Sequence, residues 1–77
     1  MITRDQIRAA RAALRWSASE LAKRSEVGTQ TVKRFELSKG VPAGRTSTLE
    51  KLRLTLEAAG IEFIGTPEDG PGIRLRR

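Results

Sequence analysis

The stretch that decides the fold is SASELAKRSEVGTQTVKRFE, residues 17–36. Ser17 and Glu20 have the spacing of a capping box, in which two side chains satisfy free amides at the start of a helix. A second short helix is predicted over residues 29–37, because Val32 and Phe35 lie about one turn apart and share a buried face. The Glu-Val-Gly sequence at 26–28 predicts a tight turn between the two helices, with Val27 as its apolar plug.

A further helix is predicted ahead of this pair. Thr3 and Gln6 have capping-box spacing, and apolar residues follow at helical intervals. Four arginines fall on one face of this helix, and Arg11 lies nearest to the apolar stripe on a wheel of about 100° per residue. We therefore expect Arg11 to be partly buried and paired.

A fourth helix is predicted from Ser47 to Gly60, a typical C-terminal glycine. Its inward residues would be Leu49, Leu52, Leu56 and Ala59. Leu54 lies about 180° from that stripe, so we expect something outside the four helices to cover it.

The tail, residues 61–77, changes to the alternating pattern of strands at 61–64 and 73–76. The intervening loop, 65–72, is longer than most hairpin loops, and a lone two-stranded ribbon is marginal in water. We therefore expect the strands not to pair simply with each other in one chain. Pairing across a dimer axis would bury their apolar faces and could cover Leu54; a frayed tail is the alternative. The expected interface residues are Leu54, Ile61, Phe63, Ile73 and Leu75.

The predicted fold is mostly α: a compact four-helix domain over 1–60, followed by a short β-strand pair over 61–77 as a dimerisation element. The 77 residues allow one modest core, which dimerisation would stabilise. The chain has no cysteine and no histidine. Disulfides and Cys-ligated zinc are therefore excluded, and the commonest general base is missing. We expect no enzyme activity, no metal and no cofactor.

Charge and hydropathy restrict the cellular location and the kind of binding partner that we expect for this protein. No apolar run approaches the roughly 18 residues of a membrane helix, and no signal peptide follows the first residue, so a cytoplasmic location is expected. The net charge is +6. Residues 1–45 hold ten Lys and Arg against four Asp and Glu, an excess of six, whereas residues 46–77 hold five of each. The whole excess lies on the segment with the paired helices, which suits a polyanionic partner.

Residues 4–59 resemble a phage-repressor/Cro-type (XRE-type) helix-turn-helix domain. The resemblance rests on Trp16-Ser17-x-x-Glu20-Leu21-Ala22, Val32-x-x-Phe35-Glu36, Lys39-Gly40-x-Pro42 and the Leu49/Leu52/Leu56 helix. It implies a sequence-specific regulator of transcription that binds double-stranded DNA as a homodimer, with helix 29–37 in the major groove. No small-molecule ligand is expected, because there is no separate ligand domain.

The resemblance also implies roles for individual residues. In this family Arg11 and Glu36 would form a partly buried ion pair. The base-reading positions would be Thr29, Gln30, Thr31, Lys33 and Arg34, and the phosphate contacts Ser17, Lys39 and Arg45.

Three positions depart from the family pattern. Ala18 stands where the family often has Gln, so one polar contact is missing. Glu26 stands where the turn commonly has Gly, so either the turn is strained or its backbone differs. Gly28 replaces the usual Ser or Thr cap, at a cost of only a few tenths of a kcal/mol.

Two other functions compete with DNA binding. The fold could serve as an antitoxin or another protein-interaction module, with Leu54 and the tail as the surface for a toxin or other protein partner. RNA binding is less expected, because only three aromatic residues are present and two of them are predicted to be buried, which leaves no stacking platform.

Overall fold

The computed structural model describes residues 2–38 and 46–76. The fold is mostly α, as predicted, with one two-stranded antiparallel sheet. Its elements are α1 (Arg4–Leu14), α2 (Ala18–Ser25), α3 (Thr29–Leu37), α4 (Thr46–Ala58), β1 (Ile61–Thr66) and β2 (Asp69–Leu75). In these two ranges no helix has the length and apolar character needed to cross a membrane.

Side-chain caps fix where the first two helices begin. The Thr3 hydroxyl accepts from the Gln6 amide at 3.2 Å, and the Thr3 amide donates to Gln6 Oε1 at 2.8 Å. The capping box predicted for α1 is therefore confirmed. At α2, the Ser17 hydroxyl accepts from the Glu20 amide at 3.0 Å, but the Glu20 carboxylate accepts from Arg24 instead, so only half of the predicted capping box forms.

The core lies between the four helices and the first residue of β1. Phe35, the largest of its fully buried side chains, is 1% exposed. Full burial of one such apolar side chain contributes about 1.5–3 kcal/mol. The core consists of Ile2, Ile7, Ala10, Leu21, Ala22, Val32, Phe35, Leu49, Leu52, Leu56 and Ile61.

The two strands pair with each other within the chain, so the expectation that they would not do so is wrong. Ile61 lies opposite Leu75 and Phe63 opposite Ile73 in an antiparallel register. The strands extend into what was predicted to be a loop of eight residues, and only residues 67–68 lie between them. An irregularity of register between Ile64 and Thr66 allows this tight connection.

Helices α1 and α4 support the hairpin, so it is not an isolated ribbon. The Gln6 side-chain amide donates to the carbonyls of Ile64, at 3.0 Å, and Gly72, at 2.9 Å. The Arg76 amide donates to the carbonyl of Gly60 at 2.7 Å, which extends the pairing back to the end of α4.

The hairpin turns its apolar face toward the helices. Ile61 belongs to the core, and Phe63, Ile73 and Leu75 are partly buried against it. Four of the five residues predicted for a dimer interface thus pack within their own chain. Leu54, the fifth, is 55% exposed, so the hairpin does not cover it.

Candidate nucleic-acid interface

Three residues connect α2 to α3. Glu26 adopts a left-handed conformation, with φ 59° and ψ 38°, and the Val27 amide donates to the carbonyl of Ala22 at 3.0 Å. The Gly28 carbonyl then accepts from the amides of Thr31 and Val32, which begins α3. Gly28 provides no side-chain cap. The chain therefore changes direction within one short turn, and the half-buried Val27 packs against the core.

The outer face of α3 is open to solvent and carries polar side chains together with Leu37, which is 80% exposed. Val32 and Phe35 are buried and hold the opposite face. At 100° per residue, Gln30 and Leu37 lie within about 10° of the direction that points away from the core, and Lys33 and Arg34 lie about 50° to either side. Gln30, Lys33 and Arg34 are exposed. The helix thus presents one amide, two cations and the exposed Leu37 on a single face.

The remaining residues predicted to contact DNA are less exposed to solvent or lie outside α3. Thr29 and Thr31 are partly buried. Ser17 is exposed at the start of α2, where its hydroxyl caps that helix. Lys39 and Arg45 lie outside the described residues.

A paired arginine and glutamate orient α3 against α1. Arg11 Nε donates to Glu36 Oε2 at 2.8 Å, and Nη2 donates to Oε1 at 2.9 Å. The Arg11 side chain is 25% exposed and that of Glu36 11%. The hydrogen bond to Glu36 raises the pKa of Arg11, and burial opposes this in part. Arg11 therefore stays charged at any physiological pH.

Arg11 has a second partner in the segment that leads into α2. Its Nη1 donates to the carbonyl of Trp16 at 3.0 Å. One guanidinium group thus connects the end of α1, the segment before α2 and the last turn of α3. This guanidinium group is therefore a rigid support for α3.

Trp16 is covered on one side by a cation. The guanidinium carbon of Arg24 lies 4.5 Å from the centre of the indole ring, and Arg24 Nε donates to Glu20 at 2.6 Å. Trp16 itself is half-buried against the core. Its ring therefore offers little free surface on which a base could stack.

Lys33 and Arg34 carry charges that no carboxylate of the described residues neutralises. Among residues 2–38 and 46–76 neither forms an ion pair, whereas Arg11 and Arg24 both hold carboxylates. Unpaired cations on an exposed helix are free to meet an external anion.

Sequence reasoning did not single out Lys51 of α4, which lines a cleft beside the start of α3. The sequence did place Lys51 about 60° from the outward-facing Leu54 on the helical wheel, which indicates an exposed side chain. No helical wheel shows that this side of α4 faces Thr31 and Arg34, because that depends on how the helices pack.

The described residues bring together no group of three acidic, histidine or cysteine side chains that could hold a metal ion. Searches of protein-family models and of curated proteins find no match to this sequence.

Proposed function

We propose that this protein is a sequence-specific double-stranded DNA-binding regulator of transcription, with α3 as the recognition helix in the major groove. The observation that carries the proposal is the outer face of α3. It exposes Gln30, Lys33 and Arg34, while the Arg11–Glu36 pair fixes the helix from behind. The resemblance to XRE-type helix-turn-helix domains supports the same reading.

The exposed side chains have the chemistry that base reading requires. A glutamine amide can bond to N6 and N7 of adenine, and Lys or Arg can donate to O6 and N7 of guanine. Thr29 and Thr31 would add hydroxyl and methyl contacts at the start of the helix. The DNA backbone would be held, and the register set, by Ser17, Lys39 and Arg45, because these residues occupy the positions that contact phosphates in the family.

The first test is selection of tight binders from a random duplex DNA pool at about physiological salt, followed by sequencing. An enriched inverted repeat with half-sites about one helical turn apart would support a dimeric regulator and give its operator. If a folded protein enriches no sequence, specific DNA binding is excluded.

Replacement of Gln30 tests base reading directly. Gln30→Ala is expected to relax the preference at one base position and to leave the salt dependence of binding nearly unchanged, because no phosphate contact is lost. Affinity is measured for the selected site and its single-base variants. An equal loss of affinity on every sequence would contradict base reading by this side chain.

A protein-interaction role is the second candidate, and the exposure of Leu54 favours it. Leu54 is 55% exposed and lines a shallow hollow with Trp16, Ala58 and Ala59, which suits an apolar partner surface, as expected for an antitoxin or similar module. Leu54→Gln separates the two functions, because it should weaken binding to a protein partner and, since it adds no charge, leave the affinity of the monomer for a DNA half-site unchanged.

A further inference from the structure

A cleft of about 340 Å³ lies between the start of α3 and the first turns of α4. Thr31 and Arg34 line it on the α3 side, and Thr48 and Lys51 on the α4 side. We propose that this cleft binds a phosphate group, held by the cations of Arg34 and Lys51 with the two threonine hydroxyls as further donors.

The charges of the cleft favour an anion. Arg34 and Lys51 form no ion pair with any described residue, whereas Arg53 on the same helix as Lys51 holds Glu50 at 2.6 Å and Glu57 at 2.8 Å. Two unpaired cations that face one cavity repel each other, and an anion between them removes that repulsion.

The wall of the cleft helps to place the Arg34 side chain. Its guanidinium carbon lies 5.7 Å from the centre of the Phe35 ring, a distance at which a cation is attracted to the ring face. Phe35 is buried and lines the same cleft. The guanidinium group is therefore held near the cavity rather than being free to extend in any direction.

One carboxylate, Glu26, also lines the cleft. It makes no ion pair with Arg34 or Lys51. Its charge opposes a bound anion, so it lowers the affinity of the site and provides a second, opposite test of the proposal.

The source of the phosphate follows from the proposed function, on which this part of the inference rests. Arg34 lies on the α4 flank of the outer face of α3, so a helix seated in the major groove turns that flank toward a groove wall. The wall consists of backbone phosphates. We therefore assign Arg34 to one DNA phosphate together with Lys51, in place of the base contact that the resemblance implies for it. Free inorganic phosphate presents the same chemistry.

The first experiment titrates the labelled protein with inorganic phosphate at constant ionic strength and follows backbone amides by NMR. Saturable shifts are expected at Thr31 and Thr48. Lys51→Gln should weaken binding about two- to fivefold, the range for an exposed ion pair. Glu26→Gln should strengthen binding by a similar factor, and Lys51→Arg, which keeps the charge, should retain it.

Lys23→Gln is the matched control. It removes the same charge from an exposed lysine of α2 that does not line the cleft. Thermal unfolding of each variant is measured to check that its fold is unchanged. Equal loss of phosphate binding in Lys23→Gln and Lys51→Gln would mean that net charge alone governs binding, which overturns the proposed site.

The second experiment measures DNA affinity against salt for the same variants. Lys51→Gln should flatten the slope of log K against log salt by about 0.9, the value for one phosphate contact, and Lys23→Gln should not. If the protein binds DNA but Lys51→Gln changes neither the slope nor the phosphate titration, the cleft is not a phosphate site and the proposed function stands. If phosphate binding depends on Lys51 but no duplex is bound, the site stands for free phosphate and the proposed function fails.

Discussion

Gln6 is the side chain that joins α1 to the hairpin, and it uses both ends of its amide. Its oxygen accepts from Thr3, and its nitrogen donates to Ile64 and Gly72. Gln6→Glu keeps the acceptor but aims a carboxylate at two carbonyl oxygens. Burial and this repulsion would raise the folded-state pKa of the introduced carboxyl above its unfolded value.

The free energy of unfolding of the Gln6→Glu variant, relative to that of the parent protein, should therefore depend on pH and increase as pH falls. A carboxyl with a raised folded pKa favours folding only while it is protonated, so the lost stability should be partly regained as pH falls from about 7 to 4. Urea unfolding of the variant and the parent protein at both pH values measures this. A difference in unfolding free energy that does not change with pH would contradict the two donated hydrogen bonds.

The Arg11–Glu36 pair should contribute far more to stability than the exposed pair on α2. Glu36→Gln leaves the guanidinium of Arg11 without its carboxylate. Loss of a partner in a well-buried pair costs about 3–5 kcal/mol, and the partial exposure of Arg11 reduces this to roughly 2 kcal/mol. Glu20→Gln, which breaks the exposed pair with Arg24, is the matched control at under about 1 kcal/mol. Equal losses of unfolding free energy for the two variants in denaturant titrations would show that burial of the Arg11–Glu36 pair adds nothing to its contribution to stability.

At the scale of elements, the turn between α2 and α3 contains a correctable strain. Glu26 has φ 59°, a conformation that costs a residue with a side chain about 1–2 kcal/mol relative to glycine. Glu26→Gly is expected to raise the free energy of unfolding by about 0.5–1 kcal/mol, because the relief of strain exceeds the added backbone entropy of the unfolded chain. Glu26→Ala removes the carboxylate but keeps the strain, so thermal unfolding should show no such gain for it.

The hairpin shows where sequence reasoning is weakest. Alternation correctly indicated strands at Ile61 and Ile73, but the glycines and prolines between them were interpreted as a loop. The strands continue through Gly65, which has a φ of 77° and lies so close to Gly70 that an added Cβ would clash with the Gly70 carbonyl oxygen. Such close backbone approach requires glycine at that position, and no alternation of apolar residues reports it.

At the scale of the whole molecule, short-range sequence patterns predicted the helices. They did not predict how residues distant in sequence pack together. Capping residues placed the starts of α1 and α2 because caps act within four residues of the chain. Thr29–Leu37 of α3 followed from two apolar residues one turn apart. The cleft beside Lys51 and the two bonds of Gln6 join residues far apart in sequence, and no local pattern encodes them.

Removal of residues 61–77 distinguishes a structural hairpin from a tail that serves only for dimerisation. Ile61 is 3% exposed, and three further apolar side chains of the hairpin pack on the core. At about 1.5–3 kcal/mol for full burial of each, their loss amounts to roughly 5 kcal/mol. That is comparable with the total stability of a domain of this size, about 4–12 kcal/mol. The truncated chain is therefore expected to be largely unfolded by circular dichroism, whereas Arg74→Ala, on the exposed face of the hairpin, should change stability by about 0.5 kcal/mol at most. A truncated chain that stays folded and sediments as a monomer, next to a dimeric parent, would instead show that the tail acts between chains.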